Sequence, residues 1–183
     1  ENLSLATCNE IMYFRPTGQM AVGLLGEIFE EDIDDKVGAE LPSGVPIVGM
    51  LDGLPLENYA ALRNRIIVDD PDEFGNDYPA SLRMHGTAMA SMLVHGDLAA
   101  PEPSTASRPV YVRPVMRPDA VFGMKETYPE NVLIVDLIHR AVRRMFDGDG
   151  DEAPAARTLH VINLPSAMRF GSFLAPPSPL RNC

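Results

Sequence analysis

From residue 46 onward, apolar residues fall into short continuous runs separated by polar stretches rich in proline and glycine. Ile47-Val48-Gly49-Met50-Leu51 lies between Ser43-Gly44 and Asp52-Gly53, the pattern of a strand buried on both faces. Arg65-Ile66-Ile67-Val68 predicts a second strand, and Val110-Tyr111-Val112 with Val115 a third, broken by Pro114 and Pro118. Leu159-His160-Val161-Ile162-Asn163-Leu164 predicts a fourth. Between them the period changes. Ala88, Met89, Met92 and Leu93 recur at helical spacing from His85, and Ile134, Ile138, Ala141, Val142 and Met145 form a stripe within residues 129–146. Pro129 suits a first helical turn, Arg140, Arg143 and Arg144 suit the negative end of the dipole, and Asp147-Gly148 stops the element. Strands alternating with helices predict an α/β fold, a parallel β-sheet flanked by helices.

Residues 1–45 read differently, as an N-terminal extension. Ile11-Met12-Tyr13-Phe14 suggests a short strand ended by Arg15-Pro16-Thr17-Gly18. Glu27, Glu30, Glu31, Asp32, Asp34 and Asp35 then crowd into a segment that predicts a solvated acidic linker. The whole chain of 183 residues has a formal net charge of −11, which argues against nucleic acid or an anionic membrane surface as a partner. Cys8 and Cys183 stand at opposite ends and predict two free thiols. No apolar run reaches membrane-spanning length, and no signal peptide opens the chain. It starts at Glu1 rather than Met, as a processed or excised piece does, so the compartment is not readable.

Two segments carry candidate chemistry. Asp52 ends the first buried strand, and functional groups of open α/β sheets gather beyond the carboxyl ends of strands. His85 opens an apolar helix, with Gly86 removing the neighbouring side chain so that the helix start can approach a strand closely. Taken singly, an Asp after a strand reads as a turn residue and a His on an apolar element as a satisfied core group.

Together, Val48-Gly49-Met50-Leu51-Asp52-Gly53 and His85-Gly86-Thr87-Ala88-Met89-Ala90 resemble the Asp and His motifs of the subtilisin-like serine proteases. Their separation, 85 − 52 = 33 residues, is typical of that family, although the small hydroxyl residue expected between Asp and Gly is missing. Val110-Tyr111-Val112-Arg113-Pro114-Val115-Met116, the helix over residues 132–145 and Val161-Ile162-Asn163-Leu164 resemble, in order, the family's next strand, helix and strand. The resemblance implies a serine endopeptidase acting on polypeptide substrates. Asp52 would orient His85, and His85 would act as general base for a nucleophilic Ser. It divides the chain into the extension, 1–45, and the N-terminal portion of a subtilisin-like catalytic domain, 46–183. The fold would be incomplete at the C-terminus.

The family's Gly-Thr-Ser-Met-Ala motif is not in the sequence, so this chain alone is expected to be inactive. The expected partner is the missing C-terminal part of the domain or a self-association partner covering an open sheet edge. Gly86-Thr87-Ala88-Met89-Ala90-Ser91 resembles the nucleophile motif, but its distance from Asp52 suits the His motif, which leaves Ser91 an ordinary helix residue. Pro165 departs from the family's substrate-binding strand, and the Pro-rich tail over residues 176–179 reads as disordered or misjoined. Residues 117–128 lie where the family shapes its substrate pockets, and read equally well as a plain surface loop. No cofactor is implied. A structural calcium at residues 147–152 is the sharper alternative to a solvated loop, but the ordered spacing of an EF-hand is lacking. His95 has no zinc partners at ligand spacing, and His139 and His160 read as structural. An inactive subtilisin-like binding or scaffold module is the alternative function. A flavodoxin-like domain would need a phosphate-cradling loop, which Asp52-Gly53-Leu54-Pro55 is not.

Overall fold

Four strands pair in parallel in the computed structural model, which describes residues 40–96, 105–119 and 124–164. The strand expected at 11–14, the acidic linker, both cysteines, Pro165 and the Pro-rich tail lie outside those residues. In chain order the strands are β1 (Val48–Asp52), β2 (Ile66–Val68), β3 (Val110–Pro114) and β6 (Val161–Asn163), and they lie side by side as β2-β3-β1-β6. Helix α1 (Met84–His95) lies between β2 and β3 in sequence, and α2 (Ile134–Phe146) between β3 and β6. The α/β class, with a parallel sheet and two helices, is thus established.

Strand periodicity sorts the core into two layers. Met50, Val110 and Val112 pack with Leu62, and with Ala90 and Val94 of α1. Leu51 and Tyr111, one residue out of phase, pack with Leu159 and with Leu137, Ala141 and Met145 of α2. β1 and β3 are therefore apolar without alternation, because both of their faces are covered. Each fully buried aliphatic side chain contributes about 1.5–3 kcal/mol.

Helix α2 starts later than the sequence suggests. Residues 129–132 form a turn, closed by Val132 N–H donating to the Pro129 carbonyl at 3.3 Å, and Leu133 is the extended residue before the helix. Proline's fixed φ serves a turn as well as a first helical turn, which is why Pro129 misleads. The buried stripe is centred on Leu137, with Ile134, Ile138 and Val142 flanking it. Strand β3 ends at Pro114, short of Val115.

Within residues 117–128, the described parts are not plain loop. β4 (Arg117–Asp119) and β5 (Lys125–Thr127) form an antiparallel pair in which Pro118 faces Glu126. A two-stranded sheet tolerates Pro118 because each strand has an unpaired side.

Charge fastens the second helix to the sheet. Arg144 near the end of α2 donates to both Asp69 oxygens, at 2.9 Å to Oδ2, and to Glu152 Oε2 at 2.6 Å. Tyr111 Oη donates to Asp69 Oδ2 at 2.5 Å. Burial pushes the Asp69 carboxyl up, but the hydrogen bonds from Arg144 and Tyr111 and the charges of Arg144 and Arg113 outweigh it and hold the pKa below the usual carboxylate value. Residues 147–152 close a turn with an Asp149–Glu152 bridge, and no group of three or more metal-binding side chains gathers among the described residues. No helix of the described residues is long and apolar enough to cross a membrane.

Candidate functional site

Asp52 is the last residue of β1, and its parity matches Met50, so its side chain belongs to the α1 face of the sheet. The backbone around it is fixed. Val115 N–H and Met116 N–H donate to the Asp52 carbonyl at 2.8 and 3.4 Å, so the chain leaving β3 clamps the end of β1. The connection after β1 leads toward β2, whereas the one after β3 leads to β6 on the other side of β1. The carboxyl ends of β1 and β3 therefore flank a topological switch point, where open α/β sheets place their ligand crevices.

His85 is brought there by the start of α1. Its Nδ1 lies 2.9 Å from Asp52 Oδ1, and the imidazole is 15% exposed while Asp52 is fully buried. The two residues singled out from the sequence are thus joined across 33 positions. Asp52 Oδ1 also accepts from the Gly53 backbone N–H at 2.6 Å, whereas the buried Oδ2 has no partner among the described residues. A carboxylate held out of water with one oxygen unpaired is costly to the fold.

The two residues after His85 have separate jobs. A Cβ on Gly86 would sit 2.8 Å from the Gly53 carbonyl carbon and against its oxygen, so only glycine lets the helix start touch the end of β1. Thr87 is buried. Its hydroxyl donates to the Arg83 carbonyl at 2.6 Å and accepts from Leu56 N–H at 2.9 Å, pinning the first turn of α1 to the segment after β1. His-Gly-Thr is therefore one docking device: reach, clearance and anchor.

The other histidines do different work. His95 is buried at the end of α1, with Nε2 2.7 Å from the Ala61 carbonyl and Nδ1 3.2 Å from Thr105 Oγ1. His139 and His160 are exposed. Ser91 is half-buried within α1.

Sequence reasoning missed a second acid, near Asp52. Glu126, in the middle of β5, is 6% exposed and hydrogen-bonds the Tyr78 hydroxyl through Oε1. Gly53 makes room for it, since a Cβ there would strike Glu126 Oε1 and come within 2.7 Å of the Tyr78 hydroxyl. Burial, and then the negative charge of Asp52, push the Glu126 pKa up to about 8, against a smaller lowering by the backbone N–H groups of His85 and Gly86. The same two causes push the Tyr128 phenol up to about 12. The one sequence signal was Gly53 itself, at the position where the motif expects a hydroxyl residue.

The raised pKa has a stability consequence. The folded state keeps a proton on Glu126 that the unfolded chain releases near pH 4.5. Its contribution is intact below that pH and is lost as pH rises through about 8. Glu126→Gln, which stays neutral, is therefore expected to stabilise the fold more at pH 8 than at pH 5, by about 3 kcal/mol. Urea unfolding at the two pH values measures this, and equal shifts at both would contradict it.

A cavity of about 340 Å³ opens between the segment after β2 and the β4–β5 pair, lined by Asp72, Glu73, Phe74, Asp77 and Arg117 to Asp119. It includes neither Asp52 nor His85. Compared with known proteins, the chain matches no family model, and no curated protein or solved structure is detectably similar to it.

Proposed function

We propose that this chain carries the acid and base of a serine endopeptidase, with Asp52 orienting His85 and His85 activating a Ser hydroxyl supplied from outside these 183 residues. The observation that carries the reading is the 2.9 Å contact between Asp52 Oδ1 and His85 Nδ1 at the end of a central parallel strand. Nδ1–H donated to the carboxylate fixes the tautomer, leaving Nε2 as the ring nitrogen that exchanges protons. Asp52 then offsets the positive charge that develops when His85 takes the Ser proton, and His85 returns that proton to the leaving amine. The strand order β2-β3-β1-β6 and the collinear motifs support a subtilisin-like form of the α/β fold.

An Asp–His pair is common to several chemistries, so the nucleophile decides. A fluorophosphonate, which phosphonylates an activated Ser with loss of fluoride, is expected to label the full-length protein and to fail on His85→Ala. Absence of labelling, or labelling that survives His85→Ala, would remove the reading.

A further inference from the structure

Helix α2 turns a mixed apolar and basic face outward. Leu133, just before the helix, is 60% exposed, and Val135 in its first turn is 69% exposed. Farther along, His139, Arg140 and Arg143 are exposed as well, and the exposed Arg157 donates to the Phe146 carbonyl at the helix end. Val135, His139 and Arg143 recur every four residues, so they share one stripe, apolar at its start and basic toward its end. The chain also holds the complement of that stripe. Residues 27–35 combine six acids with Ile28, Phe29 and Ile33. We propose that this acidic segment docks on the outer face of α2, its apolar residues against Leu133 and Val135 and its carboxylates against Arg140 and Arg143. The inference goes beyond the peptidase reading and uses neither Asp52 nor His85.

Reach permits the contact. The Arg65 guanidinium holds the Glu40 carbonyl at 2.8 Å at the start of β2, and Asp69 just past β2 holds Arg144 of α2. Arg65 and Asp69 are four strand residues apart, about 13 Å, and the seven steps from residue 40 back to Ile33 span up to about 23 Å. Along α2, Val135 to Arg143 covers about 12 Å of axis, which the four steps from Phe29 to Ile33 match when extended. A tether this short gives an effective concentration in the millimolar range, so a contact too weak to join separate molecules is populated within one. Charge selects the face. Arg63 and Arg108 donate to the Asn58 and Val45 carbonyls, and Arg144 serves Asp69 and Glu152. Arg140 has only a 4.0 Å approach to Asp72, and Arg143 has no hydrogen bond or ion pair among the described residues. Asp136, the one acid of α2, sits in its first turn, away from the basic end.

The test uses the whole 183-residue chain with Cys8→Ser, Cys183→Ser and Lys36→Cys, and a nitroxide attached at position 36. The Leu133 and Val135 methyl signals are expected to broaden more than that of Met92, which is exposed on α1. The excess is expected to fall by more than half in Arg140→Glu/Arg143→Glu. It is also expected to shrink when ionic strength rises from about 0.1 to about 1 M, which shortens the screening length from about 10 to about 3 Å. Should the arginine variant fail to fold, Glu30→Gln, Glu31→Gln, Asp32→Asn, Asp34→Asn and Asp35→Asn together neutralise the segment without touching α2, and the same loss is expected. No excess over Met92, or an excess that survives neutralisation, overturns the inference. A mixed sample, with the nitroxide on isotope-free chains and the signals read from unlabelled partners, detects a second copy on the face. Broadening there overturns it too.

Discussion

Asp52→Ala is expected to lower kcat/KM of the full-length protein about 10⁴-fold, the size of effect that losing the acid of such a triad produces. The reason lies in what Oδ1 does. It accepts from Gly53 N–H and faces His85 Nδ1, so one oxygen orients both the strand end and the imidazole. Without it, His85 is free to choose the tautomer that leaves Nε2 protonated and useless as a base. The positive charge formed during proton transfer also loses its counter-charge. KM should change little, because Asp52 is buried beneath the ring rather than exposed to substrate. The fold should survive, since removing Asp52 also removes a buried oxygen with no partner among the described residues. Peptide hydrolysis measured beside urea unfolding separates the two effects. A loss of less than tenfold in a folded variant would take Asp52 out of the chemistry.

Gly86→Ala is expected to damage stability and activity together, by about 2–4 kcal/mol and about 100-fold in kcat. The new methyl would meet backbone, with the Gly53 carbonyl carbon at 2.8 Å and the Leu54 carbonyl carbon at 3.2 Å. Backbone cannot rotate aside, so the helix start must lift off β1 and carry His85 with it. Gly53→Ala is the informative contrast, because the atoms it would meet are the tips of Glu126 and Tyr78, which can swing away. Its stability cost should be smaller, though it displaces the acid beside His85. Equal, small effects at both positions would show that the helix start has slack that the geometry denies.

The sequence was informative where burial wrote a continuous signal. β1 and β3 are covered on both faces, so their apolar runs read directly as parallel strands, and Asp52 stood out as the polar residue ending one of them. His85-Gly86-Thr87 was legible as a unit, although the anchoring bond from Leu56 N–H to Thr87 was not. The β4–β5 pair was hidden because Arg117-Pro118-Asp119 has neither strand propensity nor alternation, and its pairing is a tertiary event. Glu126 was hidden for a related reason. An acid between Lys125 and Thr127 looks solvated until the fold buries it against Tyr78 and Gly53. The start of α2 was misplaced because one proline geometry serves two local structures.

The neighbours of β1 arrive at very different times. Val48 pairs with Val110 on one side and with Val161 on the other, and the second partner is 113 residues away (161 − 48). At synthesis rates of about 5–20 residues per second, one flank of this oily ribbon waits on the order of ten seconds for its mate. Refolding should accordingly be slow for the chain's size, because so remote a closure forfeits much entropy before it gains any contact.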